Sequence, residues 1–202
     1  MNLSAHASLS SPEHLANPVP LGLIGLAIAS AALVPISFGF GISPNGLKMA
    51  AALALLFGCG CQLLAGLMCF VNKNVFGGTL FSAFSFMWAF NAWTLYAMTV
   101  GILPDPAIAL AMDVTLLAVF VILTYAHGFF SSLLFLFLAD ITLMFIVRIL
   151  KLLTSLPGLD AGLGILTIVM IVLSLWLAFG TLMNPLVGRN LFHVGKPLFR
   201  KS

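Results

Sequence analysis

Hydrophobic residues fall into six long runs along this chain, and short polar stretches separate the runs. Each run is close to the roughly 20 apolar residues that a helix needs to cross a bilayer. Prolines, glycines and asparagines gather between the runs, where they favour turns and end helices. The pattern therefore predicts six membrane-spanning helices, at about residues 21–40, 47–71, 77–100, 107–126, 129–150 and 162–183.

The composition makes lipid the solvent for most of the surface. Of the 202 residues, 62% are hydrophobic and 6% are charged, and the mean hydropathy is +1.20. A soluble domain carries about a quarter of its residues as charged side chains. We therefore expect an all-α integral membrane domain at residues 17–183, with a polar N-terminal tail at 1–16 and a basic C-terminal tail at 184–202.

The lysines and arginines set the expected orientation, because cytoplasmic loops carry an excess of them. An even number of spans places both termini on one side of the membrane. That side holds Lys73 and the cations of the C-terminal tail, whereas the other holds Lys48, Arg148 and Lys151. We expect a multi-pass protein of the cytoplasmic (inner) membrane with both termini in the cytoplasm.

The sequence lacks the residue groupings that catalysis or metal binding requires. Its histidines lie at span ends or in the tails, and its three cysteines share one apolar run without zinc or disulfide spacing. There is no nucleotide-binding loop and no nucleophile–base pair. We therefore predict that the protein is not an enzyme and holds no cofactor or metal. The positive charge indicates orientation rather than nucleic-acid binding.

The polar residues inside the spans are single amides, hydroxyls and acids. Gln62 belongs to a row with four-residue spacing whose other members are Ala54, Gly58 and Gly66, so one face of span two is small except for this amide. A buried amide in hydrocarbon needs partners. Gln62 therefore either bonds a neighbouring helix or lines a pore, and the sequence favours neither.

Span three carries more polar residues than the other spans. We interpret Ser82, Ser85 and Asn91 as one wetted face with Phe84 near its edge. In span five, Asp140 lies near the middle of the run, where an acid is costly and should face the protein interior or water. Asp140 is either a structural acid bonded to a neighbouring helix or a proton or solute site. Such scattered groups suit a narrow path for a small solute.

Four segments resemble the acetate uptake transporter family. Residues 17–23 read N-P-V-P-L-G-L, close to that family's N-P-A-P-L-G-L signature. Residues 62–66, Q-L-L-A-G, resemble its A-Q-x-x-A-G segment. Residues 74–77, N-V-F-G, with the Thr79, Phe81 and Trp88 that follow, resemble its N-T-F-G-x-T-x-F…W stretch. Asn184 and the Gly-Arg pair at 188–189 resemble its tail motif, and these segments occur in the family's order.

The resemblance implies a homohexamer of six-helix protomers, each with its own solute pathway. It implies uptake of acetate and other short monocarboxylates, with succinate as a further candidate, either linked to protons or favouring the protonated acid. It also implies a narrow apolar ring, which falls on Leu26, Phe84 and Ile141. The expected partners are thus a small carboxylate, the lipid bilayer and copies of the same chain.

Two departures from the family pattern affect this expectation. Leu26 and Phe84 stand where relatives carry Phe and Tyr, so the ring lacks a tyrosine hydroxyl. Cys69 stands where the family often has Glu, which leaves Asp140 as the possible proton site. We predict a substrate pathway lined by Asn17, Leu26, Gln62, Thr79, Ser82, Phe84, Ser85, Asn91 and Ile141.

Two other functions remain open. One is a six-helix channel for a small neutral solute such as urea or a short amide. The other is a signalling or structural membrane protein through which nothing passes. Acetate flux that rises as the pH falls would favour the carboxylate pathway, and flux of urea that does not depend on pH would favour the neutral one.

Overall fold

The computed structural model describes residues 16–154 and 156–200, and every regular element in these ranges is helical. Six helical segments are long and apolar enough to cross a membrane, which confirms the predicted number. We call them span one to span six; they run Val19–Ser37, Pro44–Val71, Val75–Met98, Pro106–His127, Ser132–Leu153 and Leu159–Val187. Residues 1–15 of the predicted N-terminal tail lie outside the described residues.

Span one consists of two helices, Val19–Ala31 and Leu33–Ser37, with a break at Ala32. The first helix begins two residues before the predicted start. Pro20 lies in its first turn, where a missing N–H costs no hydrogen bond. Pro35 accounts for the break, because proline cannot donate to the carbonyl four residues earlier.

Span two changes its helical form halfway across. It starts as an α-helix at Pro44–Leu53, widens into a π-helix at Ala54–Cys61 and returns to an α-helix at Gln62–Val71. Its predicted small face is buried throughout, from Ala54 to Gly66. π-helical stretches are rare and occur frequently at functional sites.

Spans three, four and five are single helices that begin at polar caps, and span six is a single helix that follows Gly158 without a side-chain cap. Asn74, Asp105 and Ser131 each accept hydrogen bonds from backbone N–H groups in the first turn of spans three, four and five. Such caps satisfy donors that have no partner within the helix. These caps explain why the observed starts differ by only one to three residues from the predicted ones.

Span six ends later than predicted, and the chain after it packs against the bundle. Its helix continues past residue 183 to Val187. The side chain of Asn184 then accepts from the N–H groups of Leu191 and Phe192. Further along, the Phe199 ring packs against Gly128, in the turn between spans four and five. The predicted basic tail is therefore partly helix and, as far as residue 200, partly a segment that covers one end of the bundle.

The spans pack so that spans one, three and five surround the interior. Span one packs against spans two and six, span three against span two, and span five against spans four and six. Ser174 of span six donates to the carbonyl oxygen of Leu23 at 2.8 Å, which ties two of these helices together. Many large apolar side chains remain exposed on the outer faces, as a bilayer solvent requires.

Candidate functional site

Two cavities among the described residues lie between spans one, three and five. The proximal cavity, near the start of span one, has a volume of about 150 Å³ and is lined by Val19, Leu23, Asn74, Phe76, Gly77, Leu80, Phe81, His127, Phe130, Leu134 and Phe137. The distal cavity, near the end of span one, has a volume of about 60 Å³ and is lined by Leu33, Phe84, Met87, Trp88, Asn91, Ile141, Met144, Phe145, Arg148, Thr167 and Met170. Spans one, three and five contribute to both.

The two cavities follow one another along the same three helices. On span three, the proximal lining ends at Phe81 and the distal lining starts at Phe84. On span five, the corresponding change falls between Phe137 and Ile141. Because these spans run in the same direction through the bundle, the cavities lie at opposite ends of one line through the protomer.

A buried apolar layer lies between the cavities. Leu26 is 2% exposed, Phe84 is 4% exposed and Ile141 is 2% exposed, and all three belong to one apolar cluster. The ring of Phe120 from span four packs edge-on against Phe84, with centroids 4.7 Å apart, and stacks on Phe145 at 5.3 Å. This packing fixes the position of the Phe84 ring.

The proximal cavity is polar only through an amide and an imidazole. Asn74 accepts from the N–H of Gly77 at 2.9 Å, so its position is fixed by its role as the cap of span three. His127 contacts the carbonyl oxygen of Leu123 through Nδ1 at 2.7 Å, and its ring packs against Phe76 and Phe130. None of the described residues that line this cavity is Lys, Arg, Asp or Glu.

The distal cavity contains a fixed charge. Arg148 of span five lines it and forms an ion pair with Asp113 of span four. The Arg148 Nε lies 3.1 Å from each carboxylate oxygen of Asp113, and Nη2 lies 3.0 Å from Oδ1. The Asp113 side chain is 2% exposed and the Arg148 side chain is 32% exposed, so the carboxylate is buried and the guanidinium is partly accessible.

This ion pair was not predicted from the sequence, which placed Arg148 only among the cations on one side of the membrane. The available signal was the presence of one acid in span four and one arginine in span five, since charges inside a membrane usually pair with one another. The sequence could not tell which acid would face Arg148, because that depends on how the two helices are rotated.

The structure brings four of the predicted pathway residues together. Phe84, Asn91 and Ile141 line the distal cavity, and Leu26 lies in the apolar layer beside them. All three ring positions are buried in one apolar cluster, and their role as the narrow point of a pathway stays a prediction.

Three other predicted pathway residues lie between helices and line neither cavity. Ser82 packs at Gly66 of span two, and Ser85 contacts Cys59 Sγ at 3.5 Å. Ser82 and Asn91 are nine residues apart, which is two and a half turns at about 3.6 residues per turn, so they cannot share the predicted wetted face. Gln62 is fully buried, and its Oε1 has no hydrogen-bond partner among the described residues.

The remaining predicted residues lie away from the cavities. Asn17 is exposed and accepts from the N–H of Val19 at 3.1 Å, and Thr79 is exposed on the outer face of span three. Asp140 is buried, and its Oδ2 has no hydrogen-bond partner among the described residues.

The donor set for a metal is absent from the part of the chain that the structure describes. No three His, Cys, Asp or Glu side chains come close enough together there to hold an ion. Both cavities have mainly apolar walls with two or three polar side chains, which is typical of sites that bind or pass small organic molecules.

Comparison with known proteins relates this fold to membrane transport. The model of the GPR1/FUN34/yaaH family matches residues 1–194. Ammonia transport outward protein 3 of Saccharomyces cerevisiae (strain ATCC 204508 / S288c) is 37% identical over 78 residues, which cover 39% of this chain and 28% of that protein. The structure of the bacterial acetate channel SatP has a TM-score of 0.81 at 21% identity, over 90% of this chain and 99% of that one.

Proposed function

The chain belongs to the GPR1/FUN34/yaaH family, and we propose that it passes acetate and other short monocarboxylates across the cytoplasmic membrane. It is a multi-pass membrane channel or transporter and not an enzyme. The acetate channel with the same fold supports a small carboxylate as the substrate. The observation that carries the proposal is the pair of cavities on either side of the Leu26, Phe84 and Ile141 layer.

The layer suggests how the solute crosses. A bare carboxylate that enters an apolar constriction loses its hydration and gains no hydrogen bond in return. The protonated acid loses much less, so the layer favours the neutral form. We therefore propose flux that increases as the pH falls toward the pKa of the substrate, with the absence of a tyrosine hydroxyl at Phe84 strengthening this preference.

Asp140 is our candidate for a proton carrier. It is buried on span five next to Ile141 in sequence, and it has no ion-pair partner in the described residues. Asp140→Asn keeps the shape and removes the carboxyl group that can gain or lose a proton. A flatter dependence of acetate uptake on pH would support the role, and an unchanged dependence would dismiss it.

The outer surface supports self-association. A groove of about 510 Å³ on spans two and three is lined mainly by small and aromatic residues, among them Ala52, Ala89 and Trp93, together with Lys48 and Leu55. Small residues at a helix surface allow close helix packing in lipid. We propose that this face contributes to a homohexamer with both termini in the cytoplasm, and native mass spectrometry of the detergent-solubilised protein would measure the number of chains.

Reconstituted liposomes test the proposed function directly. We expect uptake of radiolabelled acetate that rises as the pH falls, and little uptake of urea. Leu177→Ala provides a control, because Leu177 is buried in span six and lines neither cavity. Correctly assembled protein without acetate uptake at any pH would reject the proposal.

A neutral solute is the second candidate. The proximal cavity favours it, because no fixed charge lines that cavity in the described structure. Flux of urea or acetamide that exceeds acetate flux and does not depend on pH would support a neutral-solute channel instead.

A further inference from the structure

We propose that Arg148 binds the carboxylate group of the transported acid at the distal cavity, an inference that rests on the proposed function. The side chain lines the distal cavity and also a cleft of about 230 Å³ between spans four, five and six. That cleft is partly lined by the exposed residues Lys151 and Leu152. Arg148 therefore stands between the outside of the bundle and its interior.

The guanidinium has donors to spare. Its contacts with Asp113 involve Nε and Nη2 only. No acceptor among the described residues contacts Nη1, and one N–H of Nη1 points the same way as the second N–H of Nη2. A planar guanidinium can hold a second carboxylate with such donors, because its fork matches the spacing of two carboxylate oxygens.

Asp113 orients this group in advance. The carboxylate holds the guanidinium by two oxygens and is itself almost completely buried. The Phe145 ring lies 5.8 Å from the Arg148 Cζ and supports it from another side. A side chain held in this way loses little conformational freedom when it binds a ligand, so the pair works as a fixed receptor rather than as a flexible surface cation.

The chemistry selects a carboxylate over a neutral solute of the same size. Acetamide and acetate have nearly the same shape, but only acetate can form charge-assisted hydrogen bonds with Arg148. The other nearby cation, Lys151, pairs with Asp160 and does not line the distal cavity. Among the described residues, Arg148 is thus the cation placed to recognise an anion there.

The test removes both charges together, because a lone Arg148 variant would leave Asp113 buried without a partner. The double variant Asp113→Asn with Arg148→Gln is reconstituted beside the unmodified protein, and uptake of acetate and acetamide is measured over a range of concentrations. We expect the half-saturating acetate concentration to rise by about tenfold, the effect of one charge-assisted contact. Acetamide uptake should stay the same.

A single variant should change the half-saturating acetate concentration in the opposite direction. Asp113→Asn keeps one side-chain oxygen that can accept from the guanidinium and orient it, but it removes the competing negative charge, so we expect half-saturation at a lower acetate concentration. Lys151→Gln serves as the matched control and should change neither solute's uptake. Size-exclusion profiles that match the unmodified protein would establish correct assembly for all three.

Two results would distinguish a failure of this inference from a failure of the proposed function. If the unmodified protein takes up acetate and the double variant shows the same half-saturating concentration, Arg148 is not the carboxylate site. If the unmodified protein is assembled but takes up no acetate, the proposed function itself is rejected, and with it the inference.

Discussion

The proximal and distal cavities use the same three helices but differ in charge. Both are walled by apolar and aromatic side chains from spans one, three and five. The proximal cavity adds Asn74 and His127, whereas the distal cavity adds Asn91 and the arginine of a buried ion pair. An apolar layer cannot tell acetate from another small acid by charge. The comparison suggests that recognition of the anion is confined to one end of the protomer.

The two cavities also share a packing feature. In each, an aromatic side chain that lines the cavity packs against a glycine of a neighbouring span. A Cβ placed on Gly22 would lie 2.5 Å from the Phe81 ring of the proximal cavity, and one placed on Gly58 would lie 2.5 Å from the Trp88 ring of the distal cavity. The size of both cavities thus depends on glycines in the neighbouring spans, because a glycine has no side chain to push the aromatic ring away.

The largest effect should come from breaking the ion pair of the distal cavity. Arg148→Met leaves the Asp113 carboxylate buried and unpaired, which costs about 3–5 kcal/mol of stability. Adding Asp113→Asn should restore most of the loss. Thermal unfolding in detergent measures both. Lys151→Met is the matched control, because its ion pair is exposed and should be worth less than about 1 kcal/mol. Equal losses of stability in Arg148→Met and Lys151→Met would show that the two ion pairs do not differ in strength.

The next effect concerns the layer between the cavities. Leu26→Ala should cost about 3 kcal/mol and leave a void that joins the two cavities. We expect uptake of longer acids, such as butyrate, to rise relative to acetate. Leu177→Ala should cost a similar amount without changing selectivity, since that leucine is equally buried but lines neither cavity. Unchanged selectivity in Leu26→Ala would place the narrow point elsewhere.

The elements of the fold followed from short-range information. Long apolar runs predicted the six spans, and capping residues such as Asn74 and Asp105 fixed where helices begin. The π-helix at Ala54–Cys61 was not predicted, because its glycines and cysteines read as ordinary small residues. The extension of span six through Pro185 was missed for a related reason: the proline suggested an end to the helix.

The site was predictable only in part. The ring positions Leu26, Phe84 and Ile141 came from the family resemblance, and all three are buried in one apolar cluster. The polar residues were harder to place, because a helix turns each one to a direction that composition does not reveal. Ser82 and Ser85 therefore face span two while Asn91 faces the distal cavity. The partner of Arg148 depends on contacts between two helices that no single run contains.

A smaller effect should follow from filling the glycine behind the distal cavity. In Gly58→Ala the new methyl group would meet Trp88, and such overpacking typically costs about 1–3 kcal/mol. We expect the indole to shift toward the cavity and acetate uptake to fall. Gly60→Ala is a close control in the same π-helix, because its nearest contact would be 3.6 Å away. Tryptophan fluorescence and acetate uptake would report the shift of the indole. A similar change in both variants would show that the effect comes from altering the π-helix and not from contact with Trp88.

The smallest effect is expected at the proximal cavity. Asn74→Ala removes the cap of span three and should cost about 1 kcal/mol, but it removes no charge. We therefore expect the half-saturating acetate concentration to stay within about twofold, well below the tenfold effect expected at Arg148. Asn74→Ser keeps a capping oxygen and should recover the stability, while Asn74→Asp keeps the cap but adds a negative charge that should slow acetate uptake by repulsion. An acetate affinity as sensitive to Asn74→Ala as to the loss of Arg148 would mean that both cavities recognise the carboxylate, and the asymmetry drawn between them would not hold.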